Sequence, residues 1–445
     1  MSDMTDMTNQ TNQANQTSPP RNRMVIVVRA DPVICGHSGE ARNLAEAALD
    51  RGFDEVRIVT WPIDRLQQTG LPLKPLDRVL PYREGITVER PAPIGDYKVP
   101  DGRYLAGLTG RLVELFTDGV PTLCMSLYLS PHAVVVADAV RVAQSTGLPV
   151  NVTTVAEAVG SDVTNVVRSC IEQDRWGAAA HVLSTYLDND LCLAVSEYTR
   201  EIILAEAAQV DARHGTTFAA RCGERVSVSY PAIDVRSFVS LDPGESDLVL
   251  ARRGLDRDGY VLFLSRLVPA KGVDDLIAGF GRSGVTERLR LVIAGTGPDA
   301  ERLRGIAAAS PVAGRITFLN DVGDAEKPHL MAGSAAFVLP SKPRPEFVET
   351  FGIALVETML SGGGPVITTE TGGIAEAVGD CAIFVPVQDP DAIAAALDRV
   401  DAMSLAERDV MEKRALAYAR QFDRAVVFDR LLERLNADRI GLRAV

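Results

Sequence analysis

Cysteine is sparse and scattered in this chain: the six (Cys35, Cys124, Cys170, Cys192, Cys222 and Cys381) never form a CxxC pair. That scatter argues against a zinc site or a disulfide framework and fits a reduced, cytoplasmic setting. Histidine numbers only five, and no cysteine has a His-rich neighbour. No apolar run approaches the length of a membrane span, so integral membrane association is not expected. Positive charge is in deficit, with 46 Lys and Arg against 59 Asp and Glu, a net charge of −13. An acidic chain repels nucleic acid and anionic lipid, although a local basic pocket can still take a phosphorylated small molecule. Residues 1–22, "MSDMTDMTNQTNQANQTSPPRN", lack any apolar segment and are expected to form a disordered tail, not a signal peptide.

What is present is a repeating theme. From Met24 onward, short β-branched runs alternate with helix-length amphipathic segments. Strands are expected at 24–29, 55–60, 121–126, 149–154, 191–196 and 225–230, then at 260–266, 289–295, 315–320, 335–341, 365–370 and 382–387. Such runs, without polar alternation and separated by helices, indicate parallel strands buried on both faces. A chain of 445 residues exceeds one core, so two domains are expected. The division falls near 235–258, where periodicity fades and Asp, Gly and Pro collect. The expected architecture is α/β: two Rossmann-like, doubly wound domains, 23–240 and 241–421, facing each other across a cleft. In open parallel sheets ligands sit beyond the carboxyl ends of the strands, so both sets of loops point into that cleft.

The second half carries the clearer chemistry. "LSRLVPAKG" places Arg266 at a strand end and Lys271 five residues later. Two cations there suit a diphosphate, one as a planar fork and one as a point charge, and a solvated loop pair is the alternative. "AGTGPDAERL" puts Gly295 and Gly297 before a helix beginning near Pro298–Asp299, where glycine lets backbone approach a ligand; a simple tight turn explains them as well. In "VETFGIALVE", Glu349 and Glu357 flank an almost wholly apolar run. If that run were helical throughout, the carboxylates would lie about 12 Å apart along the axis. Paired glycosidase carboxylates sit at most about 9.5 Å apart, so these two make a poor acid/base pair. A helix N-terminus beginning near Gly352 lies between them, and its free amides favour an anion. A diphosphate there would extend a sugar toward Glu349 and a ribose toward Glu357.

Residues 260–390 resemble the C-terminal half of retaining GT-B glycosyltransferases, specifically family 4. The pieces that carry the resemblance are "SRLVPAKG", "LVIAGTGP", "ITFLNDV", "FVLPS", the E-x7-E motif "ETFGIALVE", "GGGPVITTETGGIAEAVG" and "VPVQDPDAIAAAL". The first half is similar more loosely, through "LAVSEYTREI" and "SYPAIDVRSF". The resemblance implies that Arg266 and Lys271 neutralise the donor diphosphate and that Glu349 bonds the donor sugar. It further implies that Phe351, Gly352 and Ile353 offer amides, that Glu357 binds the ribose, and that Asn320–Val322 contact the base. The implied reaction is metal-independent transfer with retention, from a UDP- or GDP-sugar to a soluble small-molecule acceptor such as a phosphosugar or a specialised metabolite. No cofactor beyond the donor is implied.

In the first half, "CGHSGEARNLAEAAL" offers Gly36 and Gly39, with a helix start near Gly39–Glu40, and His37 is either a substrate contact or a solvated loop residue. Matching "TTVAEAVGSD" to the family places Glu157 where a histidine is usual beside the reacting sugar. There it would bond the sugar, accept a proton or attract a cationic acceptor; otherwise it is a first-turn glutamate of the next helix. His132 is a secondary candidate. Asp188 and Asp190 in "DND" mimic a metal motif but sit at the amino end of a strand, where a helix-ending turn is the better reading. The segment 422–440 is expected to form a helix returning to the first domain. Two further readings stay open: a nucleotide-sugar 2-epimerase, and a binding protein of this fold without catalysis.

Overall fold

The computed structural model describes residues 22–435 apart from 97 and 99, and only the backbone of Pro100. The expected tail at 1–21 and the final turn at 436–440 lie outside the described residues. Asn22, placed in that tail, is instead part of the fold: its amide donates to Asp54 at 3.1 Å.

Two parallel sheets form. The first contains β1 (Arg23–Val27), β2 (Glu55–Val59), β3 (Ile86–Glu89), β4 (Thr122–Leu127), β5 (Val152–Ala158), β6 (Leu191–Ala194) and β7 (Val226–Val228). The second contains β8 (Tyr260–Leu264), β9 (Arg290–Ala294), β10 (Ile316–Leu319), β11 (Ala336–Leu339), β12 (Val366–Thr369) and β13 (Ala382–Val385). Their spatial orders are β3-β2-β1-β4-β5-β6-β7 and β10-β9-β8-β11-β12-β13. The chain therefore reverses direction once in each sheet, between β1 and β4 and between β8 and β11. Crevices open at such switch points, because the loops beyond the two strand ends diverge to opposite faces of the sheet.

Three departures from the sequence expectation have local causes. β3 is a short edge strand, half-exposed and partly polar, so no continuous apolar run announces it. β5 continues four residues past the expected end, to Ala158, and this places Glu157 within the strand, neither past its end beside a substrate nor in the first turn of the next helix. The "linker" at 235–258 contains a helix, Pro243–Arg252, with Pro at its first position and Asp242 accepting from the Glu245 amide at 2.8 Å. That Asp-Pro-Gly-Glu start is a capping signal outweighed by the Gly and Pro content.

The chain passes between domains at Ala232–Ile233, since Ala232 packs in the first core and Ile233, Val235 and Phe238 in the second. The boundary is thus earlier than residue 240. The return crossing runs beside it: Ile233 donates to the Phe422 carbonyl at 2.9 Å and Arg424 donates to the Ile233 carbonyl at 2.8 Å. Helix Arg424–Leu435 then lies on the first domain, where Phe428 meets Phe53 edge-on at 5.9 Å and Asp429 pairs with Arg51. Among the described residues no helix is long and apolar enough to cross a membrane.

Candidate functional site

A cleft of about 890 Å³ lies between the two sheets, lined from β1 and β4 on one side and β8 and β11 on the other. Its second-domain wall is built on helix Ile353–Ser361. Gly352 caps that helix with φ +103, a left-handed conformation that turns the chain into the helix and leaves its first amides pointing outward. Among the described residues the amides of Phe351, Gly352 and Ile353 have no acceptor. The Phe351 side chain is anchored behind them, stacked on Tyr230 at 5.5 Å and edge-on to Phe422 at 5.1 Å. The backbone facing the cleft is thereby fixed to both interdomain crossings.

An ion pair flanks each end of this turn. Lys271, only 6% exposed, pairs with Glu349. Lys327 pairs with Glu357 one helical stretch further on. Phe347 is shared by two cations, with the Arg266 guanidinium 5.6 Å and the Lys271 ammonium 5.1 Å from its ring centre. That distance suits cation–π attraction and keeps both heads facing the cleft. Sequence reasoning missed Lys327 and Phe347. The aromatic two residues before Glu349 was the available signal for Phe347, whereas Lys327 belongs to a separate helix and had none.

The cleft brings together Arg266, Lys271, Glu349, Phe351, Gly352, Ile353, Glu357, Gly36, Gly39 and His37. Gly36 opens helix Gly36–Asp50, so the helix starts three residues before its expected start and Gly39 lies within its first turn. A Cβ on Gly36 would approach the Ile353 side chain to 3.0 Å, so the two helix starts nearly touch across the cleft.

Other expected site residues lie elsewhere. Gly295 and Gly297 do not line the cleft. A Cβ on Gly295 would sit 1.9 Å from the Ser265 carbonyl oxygen, and one on Gly297 would sit 2.2 Å from that of Leu267. These glycines allow two loops of the same domain to pack backbone against backbone. Asn320 is exposed and Val322 packs on the second core, both outside the cleft lining. Asp324, slightly further along that loop, is the residue that reaches it.

Glu157 is also a correction. It is 1% exposed and stands behind the cleft wall, with Oε2 lacking any hydrogen-bond partner among the described residues. Burial, the neighbouring Glu40 and Asp162 together raise its pKa well above the carboxylate range. Glu40, which does line the cleft, is raised to about 7 by burial, with only a weak 3.4 Å bond from the Ala232 amide to offset it. His132 is structural as well. It is 1% exposed, its Nε2 accepts from the Trp61 indole at 3.1 Å, and its Nδ1 lies 2.6 Å from the Leu127 carbonyl. Nδ1 therefore carries the proton, and burial lowers the pKa to about 4. His37 is half-buried in the cleft, and desolvation with the charges of Arg29, His132 and Arg266 lowers its pKa to about 3. Asp188 ends a helix and pairs with Arg141, while Asp190 accepts from the Thr154 amide and hydroxyl at 2.8 and 3.1 Å. Among the described residues no three His, Cys, Asp or Glu side chains group in a way that could hold a metal.

The domains touch firmly beside the cleft. Thr350 donates to the Val159 carbonyl at 3.1 Å, and Glu376 accepts from the amides of Glu197 and Tyr198 at 2.7 and 3.1 Å. Lys74 bridges the mouth between Asp31 at 3.2 Å and Asp324 at 2.6 Å.

Residues 251–417 match the family model described as "Glycosyl transferases group 1". The chain is 33% identical over 192 residues to a D-inositol 3-phosphate glycosyltransferase of Frankia alni, covering 40% of this chain and 44% of that protein. It is 32% identical over 195 residues to a GDP-mannose-dependent alpha-(1-6)-phosphatidylinositol monomannoside mannosyltransferase of Mycobacterium tuberculosis, covering 42% and 46%. The chain thus spans less than half the length of these relatives. Among solved structures, Anabaena HepE in complex with UDP and glucose superposes with a TM-score of 0.66 at 18% identity, covering 93% of this chain and 99% of that one. An alpha,alpha-trehalose-phosphate synthase from Burkholderia xenovorans gives 0.67 at 13% identity, covering 93% and 100%. At such identities the likeness is one of fold. The segment 251–417 is thus similar to the group 1 glycosyl transferases, and the two sheets together form the GT-B fold.

Proposed function

We propose that this protein is a retaining, metal-independent glycosyltransferase that moves a sugar from a nucleotide diphosphate sugar to a soluble small-molecule acceptor in the cytoplasm. One observation carries the reading: the amides at 351–353, without acceptors among the described residues, line the cleft and lie in the chain between Glu349 and Glu357, each of which is paired with a lysine. A diphosphate placed there meets the positive end of a helix and the heads of Arg266 and Lys271. The sugar then reaches Glu349 and the ribose reaches Glu357. Relatives named for GDP-mannose and a fold neighbour holding UDP and glucose support a donor of either base.

Chemistry follows from where charge develops. As the bond from the anomeric carbon to the diphosphate oxygen breaks, negative charge grows on the diphosphate. Arg266, Lys271 and the 351–353 amides stabilise it without reorganising. The acceptor oxygen bonds to the same face of the anomeric carbon, and its proton passes to the departing phosphate. The test is a thermal-shift screen of UDP, GDP, ADP and their sugars, followed by anomeric analysis of the product. Stabilisation by one nucleotide series and a retained anomer are expected. If no nucleotide stabilises the protein, the reading fails.

A further inference from the structure

The first-domain wall holds a cation that none of the above employs. Arg29 follows β1 at the switch point, is half-buried, and lines the cleft. Its guanidinium rests over the Tyr128 ring at 5.0 Å, and no hydrogen bond or ion pair joins it to any described residue. Asp31, two residues along the chain, and Asp162, which acts on Tyr128 as Arg29 does, are already committed. Asp31 bonds Arg42 at 2.9 Å, Tyr82 at 2.9 Å and Lys74 at 3.2 Å. Asp162 accepts from the amides of Leu129, Val159 and Val163 at 2.8, 3.1 and 3.0 Å. A guanidinium withdrawn from water without a counter-charge is costly unless an anion arrives.

Tyr128, the platform beneath it, is held in a backbone conformation that side chains rarely adopt, with φ +99. Its amide donates to the Glu157 carbonyl at 3.1 Å, which anchors it to β5. Strain of this kind persists where the surroundings over-determine it, and such residues gather at ligand sites. Arg29 also acts in concert with the opposite wall, since the charges of Arg29 and Arg266 both bear on His37 and Cys35. The cleft lining thus includes two arginines, one from each wall, that have no ion-pair partner among the described residues.

We propose that Arg29, seated on Tyr128, binds an oxyanion carried by the acceptor, so that the acceptor is a phosphorylated or otherwise anionic small molecule. This rests on the glycosyltransferase reading, in which the second domain already supplies the cations for the donor diphosphate. A fork-shaped guanidinium with all its donors free suits bidentate recognition of such a group.

The experiment uses the full chain saturated with the nucleoside diphosphate that binds it, so that the donor phosphate site is filled. Inorganic phosphate, a hexose 6-phosphate and the unphosphorylated hexose are then titrated by calorimetry. The nucleotide-loaded wild type should bind both phosphate probes and prefer the hexose phosphate over the hexose by at least about tenfold. Arg29→Ala should abolish that preference while leaving nucleotide affinity within about twofold, and Arg29→Lys should restore part of it. Three results overturn the inference: no preference for phosphate in the wild type, a preference that survives Arg29→Ala, or a nucleotide affinity that falls with Arg29. The last would assign Arg29 to the donor. Absence of any nucleotide binding would instead overturn the function on which the inference rests, and these failures are separate readouts.

Discussion

The two walls of the cleft treat charge differently. On the second domain, Lys271 with Glu349 and Lys327 with Glu357 form opposed pairs around a row of free amides, and Arg266 stands beside them over Phe347. On the first domain, Glu157 has no counter-charge, Glu40 has one weak bond, and His132 is held neutral. One wall is arranged for ionised partners, and the other suppresses ionisation behind its surface while leaving Arg29 free at it. A wall of paired charges and amides suits a constant, highly charged ligand. A wall with one unpaired arginine beside neutral polar groups and the Asp31–Arg42–Lys74 cluster suits a ligand whose charge is local.

The comparison breaks most directly at Lys271. Lys271→Ala should lower turnover by about 10²–10³ through lost stabilisation of the leaving diphosphate. It should also cost up to about 3 kcal/mol in stability, because Glu349 is left buried without its partner. Adding Glu349→Ala should recover that stability in chemical denaturation but not the turnover. Equal recovery of both would make the pair merely structural.

The seam between the walls gives the next effect. Gly160 has φ +91, and a Cβ there would fall 2.0 Å from Thr350 Cγ2. Gly160→Ala should destabilise by about 2–3 kcal/mol and weaken substrate binding by holding the domains apart. Thr350→Ser in that background removes the methyl clash and keeps the hydroxyl, so it should recover part of the loss.

Suppressed ionisation on the first wall predicts a pH dependence. Glu40 and Glu157 have folded pKa values raised from 4.5, Glu40 to about 7, and Asp162 is raised from 3.8 to about 6. The folded state therefore binds more protons than the unfolded one through this range. The stability they allow is present below their unfolded values and is lost as pH rises toward and past 7. Glu157→Gln removes one of these charges, so it should raise Tm at high pH and flatten the fall that begins above about pH 4.5. A Tm profile parallel to the wild type's would show that the buried pair is not the cause.

The smallest effect is expected at the bridge across the mouth. Lys74→Ala should cost about 1 kcal/mol or less, because its partner Asp324 is well exposed and Asp31 keeps Arg42 and Tyr82. The loss should shrink with added salt, and a larger, salt-independent loss would mean that Lys74 closes the cleft by packing instead.

The second wall was legible because its residues are contiguous. Glu349, the helix start and Glu357 lie within nine residues, and helix geometry alone relates them. Arg266 and Lys271 share one loop. Gly295 and Gly297 misled, because a glycine that admits a ligand and one that admits a neighbouring carbonyl look alike in sequence. On the first wall the four extra residues of β5 take Glu157 from the expected loop past the strand end into a buried strand position. Only its pairing with β4 and β6 sets that end.

The sequence by itself determined the two buried parallel sheets and the run of chemistry along 266–357, since strand burial and helix-terminus geometry are local properties. Which carboxylates ionise, which histidine is a spacer, and which arginine stands free were decided by the tertiary structure alone. Those outcomes depend on desolvation and on partners from distant segments: Asp31 is held by Arg42, Lys74 and Tyr82, while Arg29 rests on Tyr128 with no ion-pair partner among the described residues.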